Sequence, residues 1–397
     1  MFKSFVRTLL LITLIALFSA CGPTMTPASP TATAVPPSPT AAPPTATPVS
    51  TMTPTVLPPT VTPVPTLTPT ATSPTATPSP TPVPTARPDL QGGASITLDT
   101  AGQVELLRTL NGHRGRVNTL VFSGDGIYLA SSSQDRGEIK LWDARSGQEV
   151  YAFSTAEMSL NGIAFSPDGK LLASADAIWN VESKQVVHTL EQNREDAGVV
   201  AFSPDGSLFA TSLIGQPIKL WDVASGQVVR SLEIQTDDIA LKLVLSLAFS
   251  PDGALLAAGV GKGRVILWEV AGGQIVDTLV YEEDEMNDVH DLAFSLDGST
   301  LASTGTDGLL RLWDVASRQL IQTLRHGDGL FGVAYSPDGT VLATAGDGPV
   351  KLWIVASGRQ VRSLSQNDAV MTVAFSPDGT LLISGGYDHQ IYLWGIP

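Results

Sequence analysis

Read for its alternation of apolar and polar positions, the chain changes character near residue 95. Beyond that point two landmarks return with a period of about 40 residues, a spacing at which each repeat supplies one supersecondary unit. The first is an apolar strand that closes on an aromatic residue and a tight turn. It reads FSGDG from Phe122, FSPDG from Phe165, Phe202 and Phe249, FSLDG from Phe294, YSPDG from Tyr335 and FSPDG from Phe375. The second is a short strand ending in tryptophan, at Trp142, Trp179, Trp221, Trp268, Trp313, Trp353 and Trp394. All seven tryptophans of the chain are used in this way, so seven turns and seven tryptophans define seven units.

Each unit predicts four short strands. In Ser-Pro-Asp-Gly, proline presets φ, aspartate bonds nearby backbone and glycine takes the left-handed conformation. The LLAS, LFAT and VLAT runs that follow are short strands, and the IKLW-type runs suit a strand covered on both faces. A second turn comes next, as at Ala224-Ser225-Gly226 or Ala316-Ser317-Arg318, before a fourth strand such as Gln227 to Leu232 or Gln360 to Leu364. Four antiparallel strands per repeat make a blade. The predicted fold of residues 95–397 is therefore an all-β, seven-bladed propeller. After Trp394 only three residues remain, so the last blade lacks its fourth strand. QVELLRTL at 103–110 matches the fourth-strand pattern QVVRSL at 227–232 and is predicted to complete it, removing a free edge. Ile96-Thr97-Leu98 reads either as an additional short strand or as a competitor of Ile391 to Leu393. Blade two is abbreviated between Ala173 and Trp179. That reads as a shortened inner hairpin, or more sharply as a notch for a partner.

These landmarks resemble the WD40 family across nearly all of 103–397. Trp-Asp stands at Trp142-Asp143, Trp221-Asp222 and Trp313-Asp314, and drifts to Trp179-Asn180, Trp268-Glu269, Trp353-Ile354 and Trp394-Gly395. The family's Gly-His element is clean only at Gly112-His113. The resemblance implies a hydrogen-bonded structural tetrad of His113, Ser131, Asp135 and Trp142 in blade one. Other blades keep fragments: Asp307 with Trp313, Asp347 with Trp353, Asp388 with Trp394.

The first 94 residues follow another logic. Lys3 and Arg7 precede an apolar run from Leu9 to Phe18, then the small pair Ser19-Ala20 and the chain's one cysteine, Cys21. Residues 1–20 read as a secretory signal, too short to span a membrane comfortably. Phe18-Ser19-Ala20-Cys21 resembles a bacterial lipobox, with Phe18 in place of the usual Leu. The resemblance implies cleavage before Cys21 and a lipid on its sulfur. Residues 21–94 hold 21 of the 29 prolines and no charge before Arg87. Such a Thr/Pro-rich segment cannot bury enough apolar surface to offset chain entropy, and is expected to be a disordered spacer. At about 3.1 Å per residue the 67 residues from Gly22 to Pro88 reach at most roughly 200 Å. Its threonines and serines suit either O-glycans or an undecorated tether.

Composition narrows the function. From Asp89 onward 20 Lys plus Arg stand against 38 Asp plus Glu, a net of −18. That argues against nucleic acid, which selects basic surfaces, and suits a basic partner. There is no nucleophile elbow, phosphate loop, His-Glu-x-x-His or cysteine pair. No cofactor or metal is expected. His290 and His326 are placed in loops between blades. The loops joining blades share one face with those between second and third strands. Candidate binding residues there are Arg114, Arg116, Met158, Leu160, Asp237, Asp238, Glu282, Glu283, Asp284, Glu285, Asp288, His290, Phe331 and Met371. The expected function is non-enzymatic protein recognition by a lipid-anchored, extracytoplasmic scaffold with an unidentified partner. The alternatives are a propeller binding a small molecule, glycan or metal through its channel, and an enzyme with an unrecognised site at the channel mouth.

Overall fold

The computed structural model describes residues 93–134, 137–155, 162–190, 198–281 and 287–397. The leader, Cys21, the Thr/Pro segment, Asp135, Met158, Leu160 and Glu282, Glu283, Asp284 and Glu285 lie outside the described residues. The first strand is β1 (Glu105–Leu110). Blade one is β2 (Val117–Phe122), β3 (Tyr128–Ser133), β4 (Glu138–Asp143) and β5 (Glu149–Ser154). Blade two is β6 (Ala164–Phe165), β7 (Leu171–Ala173), β8 (Ala177–Asn180) and β9 (Val186–Thr189). Blade three is β10 (Val199–Phe202), β11 (Leu208–Ser212), β12 (Ile218–Asp222) and β13 (Gln227–Leu232). Blade four is β14 (Val244–Phe249), β15 (Leu255–Val260), β16 (Arg264–Glu269) and β17 (Ile275–Val280). Blade five is β18 (Val289–Phe294), β19 (Thr300–Gly305), β20 (Leu309–Asp314) and β21 (Leu320–Arg325). Blade six is β22 (Leu330–Tyr335), β23 (Val341–Gly346), β24 (Val350–Ile354) and β25 (Arg359–Leu364). Blade seven takes β26 (Val370–Phe375), β27 (Leu381–Gly386) and β28 (Ile391–Gly395), with β1 on its outer edge in the order β1-β28-β27-β26. The N-terminal strand therefore closes the ring. It starts two residues later than the sequence pattern suggests, because Ala101–Gln103 form a 3-10 turn.

The inner strands β2, β6, β10, β14, β18, β22 and β26 each neighbour the next and line the channel. The Ser-Pro-Asp-Gly turns and the turns between third and fourth strands share one end of the ring, the turn face. The linkers between blades and the turns between second and third strands share the other, the linker face. The Ser-Pro-Asp-Gly geometry is the same from blade to blade. In blade three Ser203 Oγ donates to Asp205 Oδ1 at 2.6 Å, the Leu208 N–H donates to Ser203 Oγ, and Gly206 has φ +71°.

The core is distributed over the seams. Seven buried clusters each hold one tryptophan, so every seam between blades is filled by one indole packed on aliphatic side chains of the preceding blade. In the seam between blades three and four, Trp268 is 1% exposed beside Leu220 and Leu256. Burying a side chain of this size stabilises by roughly 2–3 kcal/mol, which makes the seams the main source of cohesion.

Residues 93–104 form neither an extra strand nor a competitor of Ile391 to Leu393. They strap across the turn face of blades six and seven. Gly93 N–H donates to Ile396 O and Ile96 N–H to Gly379 O, while Ile96, Ala101 and Val104 are fully buried in the seam between those blades. The strap also replaces a missing part. Elsewhere a fourth-strand side chain reaches the next blade's outer turn: Arg108 donates to Ser146 O and Arg230 to Ala271 O and Gly272 O. Blade seven has no such turn, and there Arg362 Nε donates to Val104 O at 2.9 Å.

Blade two is shortened as its sequence indicates. Its inner strand has two residues, and Ser174 N–H closes directly onto Ala177 O at the linker-face end of the hairpin.

Candidate functional site

One hydroxyl per blade organises the interior. On the second strand of five blades a Ser or Thr accepts the indole N–H of that blade's tryptophan. The pairs are Ser131 with Trp142, Thr211 with Trp221, Ser303 with Trp313, Thr344 with Trp353 and Ser384 with Trp394, at 2.7–2.9 Å. Blade four has Ala258 in that register, opposite Ile266, and carries no hydroxyl there, whereas in blade two the register falls on Ser174, two residues beyond the partner of Trp179, whose hydroxyl donates to Asp176 Oδ1. In blade one His113 Nε2 lies 2.6 Å from Ser131 Oγ, and both are buried. Blade six repeats this with His326 Nδ1 at 2.8 Å from Thr344 Oγ1. His326 is therefore not an ordinary loop residue: it is 4% exposed, directly after β21. It lacks the preceding glycine that marks His113, and its only sequence signal is its distance from Trp353. Burial pushes both imidazoles down to about 4, with Lys140 acting on His113 and Lys351 on His326 in the same direction. Blade five places Tyr281 where the histidine stands, stacked on Trp313 under the Arg311 guanidinium. Burial raises the Tyr281 phenol. These groups are structural: they are enclosed in the seams.

The accessible chemistry lies at the channel mouth on the linker face. Five inner strands carry a bulge at their second residue. The ladder steps from Val117 to Thr119, Val244 to Ser246, Val289 to Asp291, Leu330 to Gly332 and Val370 to Thr372. The residues left out are Asn118, Leu245, His290, Phe331 and Met371. Each is half-buried, whereas the residue before it is buried. A bulge bends the strand and re-aims the side chain, and here it does so at five points around the ring. His290 is thus a strand residue and not a loop residue. Its ring meets that of Phe331 edge-on at 5.1 Å. Blades six and seven approach closely at the same level, where a Cβ on Gly332 would touch Met371 O. Arg116 joins the arc from the linker before blade one. Its Nε donates to Asn118 Oδ1 at 2.7 Å and its Nη1 to Tyr387 OH at 2.8 Å, with the guanidinium over the Tyr387 ring. Sequence reading placed Arg116, His290, Phe331 and Met371 here and missed Asn118, Leu245 and Tyr387. The bulge positions are visible only once the strands are in register.

Beneath the arc, the third residues of the inner strands tie neighbouring blades. Thr372 Oγ1 accepts the Leu120 N–H, and Asp291 Oδ2 accepts the Val333 N–H at 2.9 Å. The Asp291 Oδ1 also accepts its neighbour's Leu292 N–H. Burial pushes the Asp291 carboxyl up to about 7.

The remaining candidates sit on the surrounding rim. Arg114 is exposed. Asp237 is in the linker before β14, and Asp238 caps the turn Ile239–Lys242 and pairs with Lys262 at 2.7 Å. Ile239, which that cap presents, is 76% exposed. Asp288 is half-buried, and burial raises its carboxyl. In the described linkers and second-to-third-strand turns ten carboxylates face Arg114, Arg116, Lys242 and Lys262 as the only lysines or arginines. Among the described residues no three His, Cys, Asp or Glu side chains converge to hold a metal ion.

Comparison with known proteins adds to this geometry. The profile of the family described as WD domain, G-beta repeat matches residues 104–143, 147–177, 226–269, 277–314, 318–353 and 358–395, more than half of the chain. Most of blade three falls between matches, yet it has all four strands and the Trp221–Thr211 bond. The guanine nucleotide-binding protein subunit beta of Arabidopsis thaliana is 37% identical over 78 residues, 19% of this chain and 20% of its own. The small ribosomal subunit protein RACK1 of Medicago sativa is 38% identical over 71 residues, 18% of this chain and 21% of its own. The chain spans about a fifth of the length of these curated relatives.

Proposed function

Because the chain belongs to the WD40 family, the WD domain, G-beta repeat proteins, we propose that it is a recognition platform whose partner is a protein and whose contact surface is the channel mouth on the linker face. The observation that carries this reading is the set of five inner-strand bulges. They leave Asn118, Leu245, His290, Phe331 and Met371 half-exposed around one opening, beside the 42%-exposed Tyr387 and the exposed Ile239. Aromatic, Met and Arg side chains are the residues that most often anchor interfaces, and here they stand among polar neighbours. The turn face offers a poorer surface: its aspartates are engaged by their own serines and backbone, as Asp205 and Asp252 are.

The same proposal places the propeller outside the cytoplasm, on a Thr/Pro-rich spacer anchored through a lipid on Cys21. The support is the order of basic start, apolar run, small pair and cysteine in the sequence. Metabolic labelling with an alkynyl fatty acid tests it. Label is expected on the wild type and absent from Cys21→Ser, and equal labelling of the two would remove the anchor. The recognition reading is tested by a photo-crosslinking amino acid at Phe331 and, as a control, at Leu296 on the turn face. Capture of a defined protein set from Phe331 alone is the expected result. Identical capture from both positions would refute the assignment of the face.

A further inference from the structure

The channel mouth also says what kind of partner fits it. Three observations on different residues agree. The bulge residues Leu245, Phe331 and Met371 supply an apolar and aromatic arc. Asp291 stands directly after the bulge at His290 and reaches the backbone of β22 two residues beyond Phe331. It is a half-buried carboxylate, and among the described residues no lysine or arginine pairs with it. Around the mouth the described linkers and turns carry ten carboxylates against four lysines and arginines; Lys262 is paired with Asp238, and Asp307 is held by Arg311 of β20.

An apolar arc over a carboxyl group that meets backbone N–H groups but no lysine or arginine matches a side chain with an aliphatic stem and a cationic end. Lysine and arginine bury their methylene stems on apolar surface while presenting their charge elsewhere. An acidic rim raises the local concentration of a basic segment and speeds encounter. Resting on the recognition reading above, we infer that the mouth takes a lysine or arginine from an extended, basic polypeptide segment, with its stem against Phe331 and Met371 and its charge toward Asp291. A neutral apolar segment would give Asp291 no charged partner. An acidic one would meet like charge both at the rim and at Asp291.

The test uses the full chain and three fluorescein-labelled peptides: Gly-Lys-Leu-Lys-Phe-Lys-Gly, and the same sequence with Gln or with Glu in place of Lys. Binding is read by anisotropy at about 50 mM and about 300 mM salt, either side of the range where exposed charges are screened. The Lys peptide is expected to bind at least about tenfold more tightly than the Gln peptide, a difference of about 1.4 kcal/mol, with the Glu peptide weakest. Asp291→Asn should remove most of the preference for Lys over Gln. Phe331→Ser and Met371→Ser should weaken both peptides, and Leu296→Ser on the turn face should change neither. Circular dichroism melting identifies any variant that fails to fold, and Asp291→Glu serves as a second, charge-retaining variant that should keep the preference. If Gln or Glu peptides bind as tightly as Lys with loss in Phe331→Ser, the basic partner is wrong and recognition at the mouth stands. If no peptide binds while Phe331 still captures a defined partner, this inference falls alone. If neither peptide nor capture depends on Phe331, both fall.

Discussion

At the scale of single residues, the five indole–hydroxyl bonds are the most consequential polar contacts, because a buried donor left without its acceptor costs about 1–3 kcal/mol. Thr344 serves two groups, Trp353 and His326. Thr344→Val, close in shape, is expected to destabilise by about 2–3 kcal/mol in urea unfolding. The two buried histidines give stability a pH signature. Their folded values lie near 4, below the ordinary 6.5, so the unfolded chain binds more protons between those limits. Stability is therefore complete above 6.5 and is lost as pH falls toward 4. Asp291 has the opposite sign. Its folded value near 7 exceeds the unfolded 3.8, so its contribution is present at low pH and is lost as pH rises through 7. The turn aspartates Asp205, Asp252 and Asp297, held low chiefly by their serine hydroxyls, act only below 3.8, where their contribution disappears. Urea unfolding from pH 7 to pH 4 should then show His326→Gln losing less stability on acidification than the wild type, by about 3 kcal/mol. Asp291→Asn should lose more. Parallel profiles for all three proteins would contradict the assignment.

At the scale of elements, the irregular turns carry the most information. Proline occupies the second position of five of the seven Ser-Pro-Asp-Gly-type turns; blade one has Gly124 and blade five Leu296. A Cβ at Gly124 would run into the carbonyl oxygen of Pro167, so the glycine is required by the neighbouring turn. Leu296 is 70% exposed, and the turn around it keeps the hydrogen bonds of its proline counterparts. The two exceptions should respond oppositely to the consensus residue. Gly124→Pro should destabilise by at least about 2 kcal/mol through overpacking. Leu296→Pro should stabilise by about 0.4–1 kcal/mol by restricting the unfolded chain. Matched shifts in the thermal midpoint for both would show that the packing at Gly124 is not as described. The sequence marks both turns as deviant but not why, since the reason for Gly124 lies in blade two. The same holds for the mouth. Strand number, blade count and the closing strand are legible because each repeat carries its own turn and tryptophan. Bulges are properties of a register between two strands. Asn118 and Leu245 look like ordinary strand residues until β2 and β14 are laid against their partners. His326 was hidden by a different rule, because without Gly before it only its partner Thr344 reveals its role.

At the scale of the whole molecule, closure depends on two devices in sequence, and truncation separates them. β1 pairs along β28, from Glu105 opposite Gly395 to Leu110 opposite Ile391. The strap ahead of it buries Ile96, Ala101 and Val104 and supplies the carbonyl that Arg362 grips. A chain starting at Gly93 keeps both and should unfold like the full length. A chain starting at Glu105 keeps the strand and loses the strap. Burial of one Ile, one Val and one Ala is worth about 4–6 kcal/mol, so its urea midpoint should fall clearly while unfolding stays a single transition. A chain starting at Asn111 loses β1 as well and leaves β28 as an open, apolar edge of the kind that pairs with other chains. Concentration-dependent association in sedimentation and loss of a single transition are expected for it. The order of the three proteins is the decisive result. If the chain from Glu105 is as stable as the chain from Gly93, the strap is an ornament and β1 alone closes the ring. If the chain from Asn111 stays monomeric and cooperative, closure by the N-terminal strand contributes nothing, and the seams between blades hold the circle without it.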